Sequence, residues 1–179
     1  MENKLTVRKT NISNYSNQVL LKKYSPKNCF KYVGKIKTIN DAMNSKAPSI
    51  GCVHREKSRK FTEGLIAGWL IYLDHILSLN NPMSEDQIDL CSTMIVEEFY
   101  SLNFSDLTFL FKRILAGYYG KFYERLSITQ VLTFFREYFE ERCNIAVEIN
   151  QKEHQALKDD KTFDISKNIK RIWRGTPSK

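Results

Sequence analysis

The chain has 179 residues, 42% of them hydrophobic and 12% aromatic, with few glycines and prolines. That excludes a wholly disordered chain and allows one domain with a proper core, but not comfortably two. The net charge of +8 is sorted by position: residues 1–60 carry fourteen Lys and Arg against three acids, residues 61–120 two against eight, and residues 121–179 twelve against nine. Basicity loaded onto the first third attracts polyanions, above all nucleic-acid phosphates, and carries no sequence specificity of its own.

In chain order, the polar stretch 1–17 has little to bury and holds one short β-like run at residues 5–7. Val19, Leu20 and Leu21 predict a short helix ahead of the turn Ser25-Pro26-Lys27-Asn28. Residues 29–39 alternate in part (Phe30, Tyr32, Val33, Ile36), which fits either a brief strand or an irregular lead into a short helix over residues 38–43. Ala47-Pro48-Ser49 breaks the chain. From Ser58 on, Phe61, Leu65, Trp69, Leu70, Leu73, Ile76 and Leu77 recur at helical steps until Asn80-Asn81-Pro82, and Gly64 and Gly68 predict a close approach by another helix.

Ser84 and Gln87 form a capping box for a helix running through Ile88, Cys91, Ile95, Phe99 and Leu102. Ser105 is the expected next N-cap, with Asp106 near the positive helix end, Leu107, Leu110, Phe111, Ile114 and Leu115 as the stripe, and Gly117 as the stop. Ser127 and Gln130 open a long helix with Val131, Leu132, Phe135, Tyr138, Phe139 and Arg142 facing inward, continuing through Ile145, Ala146 and Ile149. Asp159-Asp160 is expected to separate a last basic amphipathic piece. These signals predict an all-α fold: a basic, partly irregular N-terminal segment over 1–57, one compact multi-helix core domain over 58–158, and a basic amphipathic helix and tail over 159–179.

Three constellations are candidates for function. Arg55, Lys57, Arg59 and Lys60, if helical, make a stripe that follows a phosphate backbone, and Lys22, Lys23, Lys27, Lys31, Lys35 and Lys37 extend it. Tyr118, Tyr119, Lys121, Tyr123 and Arg125, between and beyond Gly117 and Gly120, place aromatics beside cations, as contacts to bases or a partner require; the plainer reading is a helix corner whose tyrosines plug the core. Ile165, Ile169, Lys170, Arg171 and Trp173 lie on the C-terminal amphipathic helix, suited to a partner's groove or to folding back on its own domain.

Catalytic signatures are missing: the chain has no Walker loop, G-x-S-x-G, G-x-G-x-x-G or H-E-x-x-H, and its three histidines form no nucleophile arrangement. Cys52 and His54 are a lone C-x-H pair where a structural zinc site wants four ligands, so neither metal nor cofactor is expected. Cys29, Cys91 and Cys143 stand apart from each other and from that pair, which reads as reduced thiols. Met1 is followed by a polar run without an apolar signal region, and the longest apolar stretch, residues 65–79, is interrupted by Asp74 and His75; the expectation is a soluble cytoplasmic protein without membrane association.

Met83-Ser84-x-x-Gln87-Ile88, Phe99-Tyr100-x-Leu102, Asp106-Leu107, residues 117–123 and Tyr138-x-x-x-Arg142 resemble a family of small helical proteins carried by bacteriophages and mobile elements, over about residues 60–145. The resemblance implies a host cytoplasm and an association with mobile-element DNA transactions; it assigns no functional residue. The residues together predict a non-enzymatic accessory protein binding nucleic acid, DNA or RNA, through a basic N-terminal face. The rivals are an adaptor for an acidic protein partner and a virion-packaged structural protein.

Overall fold

The computed structural model describes residues 12–120 and 125–173, with side chains as far as residue 158. Among these the chain is all-α. Short helices α1 (Asn17–Lys23), α2 (Pro26–Cys29), a 3-10 helix (Phe30–Lys35), α3 (Ile39–Met43) and α4 (Ile50–Glu56) precede the longer α5 (Arg59–Leu77), α6 (Glu85–Glu98), α7 (Phe104–Leu115) and α8 (Ile128–Trp173). Two isolated bridges, Ser49 with Asn103 and Asn81 with Arg125, are the extended pairing among the described residues. The β-like run at residues 5–7 lies outside them. The chain divides into two compact units, Met1–Arg142 and Cys143–Lys179.

Side chains supply the helix starts. Ser16, Thr38, Ser49, Ser58 and Ser84 each accept a hydrogen bond from a first-turn amide, and Ser84–Gln87 closes the expected capping box. Ser127 and Gln130 pair likewise, with Ser127 N–H donating to Gln130 Oε1 at 2.9 Å and Gln130 N–H to Ser127 Oγ at 3.3 Å. Residues 29–39 resolve as the 3-10 helix followed by α3. Three expected boundaries move. α6 ends at Glu98, with Phe99 as its C-cap, rather than running through Leu102. α5 stops at Leu77, where Ser78 takes the left-handed conformation (φ 49°) and donates its N–H back to Asp74 O, ahead of Asn80. The cap of α7 is Asn103, not Ser105, because the Asn103 side chain reaches both Ser105 N–H (2.8 Å) and Asp106 N–H (2.9 Å).

Trp69 of α5 organises the core of the first unit. Fully buried, it donates its indole N–H to Tyr24 O at 3.0 Å and meets Phe111 edge-on at 5.1 Å and Phe104 at 6.4 Å. Tyr24 stacks on Phe104 at 4.9 Å, while Phe111 meets Phe135, which meets Phe99. Residues before 58 are built into this core: Ile12, Leu20, Tyr24, Ile39, Ile50 and Val53 are buried, each such large apolar side chain contributing about 1.5–3 kcal/mol. Backbone bonds tie the same segment to the α6–α7 turn, with Ile50 N–H donating to Leu102 O (2.8 Å) and Gly51 N–H to Tyr100 O (2.7 Å). Residues before 58 and the helices that follow fall in one compact unit, Met1–Arg142.

The glycine expectation on α5 is overturned. A Cβ built at Gly64 or Gly68 meets nothing within 4 Å, so no helix among the described residues approaches there. α5 packs on α6 through its other face, with Leu65, Ile66, Trp69, Leu70 and Leu73 buried. The close approach occurs at Gly51, where a Cβ would lie 3.1 Å from Tyr100 O.

The second unit comprises the continuation of α8 and residues 174–179. Its helix runs through Asp159-Asp160 without the expected break, since successive acids away from a helix end do not interrupt the backbone ladder. Val147 and Leu157 are exposed along it. No helix among the described residues is long and apolar enough to cross a membrane.

Candidate functional site

The expected basic stripe splits in two. α4 ends at Glu56, Lys57 is its C-cap and Ser58 caps α5, so Arg55 and Arg59 stand on different helices rather than on one face. Lys57 turns inward and donates its ammonium to Ser13 O (3.0 Å) and Tyr15 O (2.6 Å), anchoring the chain ahead of α1. Arg59 Nε donates to Glu63 Oε1 at 2.8 Å while its Nη2 reaches Glu97 of α6. Arg55 lies 3.7 Å from Glu56 on the exposed surface. Lys60 is exposed and makes no ion pair with a described residue.

The other half of the stripe stays open. Lys22 and Lys23 close α1, Lys27 sits on α2, Lys31 and Lys35 on the 3-10 helix and Lys37 just beyond it; all six side chains are exposed, and residues 3–40 contain no acid. α1 packs on α2, α2 on the 3-10 helix, and both of the latter on α7, so these cations share one continuous piece of structure. None forms an ion pair with a described acid, although Asp41 lies near Lys37. The Asp41 carboxyl is held below the usual range by the Lys37 and Thr38 amides, which donate to Oδ2 at 3.0 and 2.9 Å.

Two tyrosines share this surface. Tyr32, on the 3-10 helix, is 55% exposed with the Lys35 ammonium 5.5 Å from its ring centre; Tyr15 is 39% exposed with the Lys23 ammonium 4.7 Å from its own. The sequence pattern placed Tyr32 only in the partial alternation of residues 29–39 and passed over Tyr15. The usable signal was Tyr32 three residues ahead of Lys35, a spacing that brings ring and ammonium together on a helical turn.

The aromatic corner after α7 divides between packing and exposure. Tyr119 stacks on Phe134 at 5.1 Å with its hydroxyl buried, and burial pushes that phenol up to about 12; it is a core plug. Tyr118 is 63% exposed, edge-on to Tyr119, with the Arg113 guanidinium carbon 4.6 Å from its ring centre. Arg113 is occupied by Glu141, donating to both its carboxylate oxygens, so it is not an open cation. Arg125 is exposed; Lys121 and Tyr123 lie outside the described residues. The backbone of Ile165, Ile169, Lys170, Arg171 and Trp173 is helical, and their side chains lie outside the described set.

Beside this corner is a buried polar cluster. Asp106 Oδ1 accepts from Tyr138 Oη at 2.8 Å, Oδ2 accepts from Asn103 N–H at 2.9 Å, and Arg142 Nε lies 3.2 Å from Oδ2 as an ion contact rather than an aligned hydrogen bond. Burial raises the Asp106 carboxyl against the opposing pull of Arg142. Tyr138 is likewise raised, by burial first and then by Asp106. Both carboxylate oxygens of Asp106 are occupied within the fold, which makes the cluster a clamp between α7 and α8 rather than an open reactive site. Among the described residues no group of three or more His, Cys, Asp or Glu is placed to hold a metal ion.

Comparison of the chain with family models, with curated proteins and with solved structures finds no match, so the functional reading rests on the residues themselves.

Proposed function

We propose that this chain is a non-enzymatic, nucleic-acid-associated protein that holds phosphates on Lys22, Lys23, Lys27, Lys31, Lys35 and Lys37, working in the cytoplasm of a host that carries a phage or another mobile element. The observation that carries the reading is that residues 22–37 present six exposed lysines and no acid, five of the lysines on three successive packed elements and Lys37 just beyond them. Ammonium groups this close repel one another, and a polyanion relieves that repulsion while releasing its own condensed counterions. The arginines that the fold pairs internally, Arg59, Arg113 and Arg136, take up Glu63, Glu97, Glu98 and Glu141. Those acids are then satisfied away from the lysine run.

Fluorescence anisotropy of the full chain with labelled oligonucleotides over a salt series tests this. Binding at low salt should weaken steadily as salt rises. Replacing Lys27, Lys31 and Lys35 together by Gln should flatten the log–log salt dependence by about 2 to 3, at roughly 0.7 to 0.9 per lost phosphate contact. Arg59→Gln, which removes a cation already paired with Glu63 and Glu97, should leave the slope near its original value. Absence of low-salt binding, or binding indifferent to salt, would overturn the reading and move the lysine run to an acidic protein partner.

A further inference from the structure

We infer that the nucleic acid held by the lysine run is single-stranded, with Tyr32 and Tyr15 as platforms on which unpaired bases stack. This inference rests on the phosphate-binding reading above and narrows its ligand. The core needs of this segment are met by other rings: Tyr24 is 7% exposed and stacks on Phe104, and Phe30 packs against Trp69 and Tyr72 at 6.3 and 5.6 Å. Tyr32 and Tyr15 are left exposed, each with a lysine of the run over one face of its ring. An aromatic face with an adjacent ammonium is the pairing that single strands use, base on ring and phosphate on cation, and it tolerates any base because every base has a π-face.

The shape of the surface points the same way. A duplex reader lays the continuous face of a recognition helix into the major groove. Here the cations fall on α1 and, past the Ser25 turn, on a run of ten residues in which α2 passes directly into the 3-10 helix, neither piece extending more than about 20 Å. Tyr32 lies among Lys27, Lys31 and Lys35 on that run. A single strand offers such a ring an unpaired base to stack on, whereas a duplex keeps its bases stacked inside. Gly34 adds an independent observation, since it lies between Tyr32 and Lys35 with a conformation any residue adopts and with nothing within 4 Å of a built Cβ. No described neighbour demands glycine there, and its absent side chain leaves exposed main chain in the segment that carries Tyr32 and Lys35. The Tyr15 main chain is held in advance, because its carbonyl accepts from Lys57 Nζ at 2.6 Å, and the Lys23 ammonium lies 4.7 Å from its ring centre. A platform fixed before binding loses less freedom when the ligand arrives.

The test uses the full chain with a labelled oligothymidine and a labelled duplex of equal length at one salt concentration. The single strand should bind at least about tenfold more tightly, given stacking increments of that order per base. Tyr32→Ala should weaken single-strand binding about fivefold or more, Tyr32→Phe should keep it because the ring face is unchanged, and the salt slope should stay the same in both. Tyr32 is exposed, so circular dichroism should report an unaltered fold. A duplex that binds as tightly as the single strand, or a Tyr32→Ala variant that binds normally, overturns this inference while leaving phosphate binding intact. Failure of both probes to bind at low salt overturns the phosphate reading as well.

Discussion

Asp106 and Arg142 meet where solvent is excluded from the carboxylate, and there a charge without its partner is far more damaging than a surface charge. Arg142→Leu strands the Asp106 carboxylate and should destabilise the first unit by about 3–5 kcal/mol. Tyr138→Phe removes one donor from Asp106 Oδ1 and should cost about 1–3 kcal/mol. Urea unfolding followed by circular dichroism measures both; an Arg142→Leu effect no larger than that of Tyr138→Phe would show that the Asn103 amide and the Tyr138 hydroxyl suffice for Asp106. Arg142 was legible in the sequence as a cation on an inward helical stripe. Its partner was not, because Asp106 looked like an ordinary helix N-terminal acid, and only the packing of α7 against α8 turns it into a buried counter-ion.

At the scale of elements, the glycines separate into those the fold uses and those it does not. Gly64 and Gly68 lie inside α5, where glycine leaves the backbone too free, and no described neighbour occupies the space of a side chain. Gly64→Ala and Gly68→Ala should each stabilise by about 0.5–1 kcal/mol. Gly51→Ala should instead destabilise, because the new methyl meets Tyr100 O at 3.1 Å, the same carbonyl that accepts from Gly51 N–H at 2.7 Å. Thermal melts of the three variants should give two upward shifts and one downward. A Gly51→Ala melt at or above the parent value would mean that the Tyr100 turn yields without cost. The spacing of Gly64 and Gly68 was visible in the sequence, but which glycine another segment approaches is a property of the assembled helices.

For the whole molecule, burial of weak acids gives stability a definite dependence on pH. Burial pushes Cys29 up to about 11 and Cys91, Tyr24 and Tyr119 up to about 12, and raises Tyr138 as well. An acid whose folded pKa lies above its unfolded value favours the folded state fully below the unfolded value, and that contribution is lost as pH rises through the folded one. With unfolded values of 9.0 for cysteine and 10.0 for tyrosine, these groups should leave stability unaffected up to about pH 9 and then lower it through pH 12. Each group adds up to about 1.4 kcal/mol per pH unit within its window. Urea midpoints across pH 7 to 12 check this, and a flat profile to pH 12 would show that these side chains ionise without unfolding the core.

The sequence by itself determined the all-α class, most helix starts, the capping boxes at Ser84 and Ser127 and the apolar faces of α5 to α8, because helical periodicity and cap chemistry act between residues three or four apart. It also determined that the cations are concentrated at the front of the chain. Only the tertiary structure decided which of them stay open. Lys57 and Arg59 are drawn into contacts with Ser13, Tyr15, Glu63 and Glu97, while the lysines of residues 22–37 form no ion pair with a described acid. Tyr119 goes to the core and Tyr32 to the surface for the same reason: a side chain's neighbours across the fold lie beyond the reach of local pattern, and they alone set whether its charge or ring faces protein or solvent.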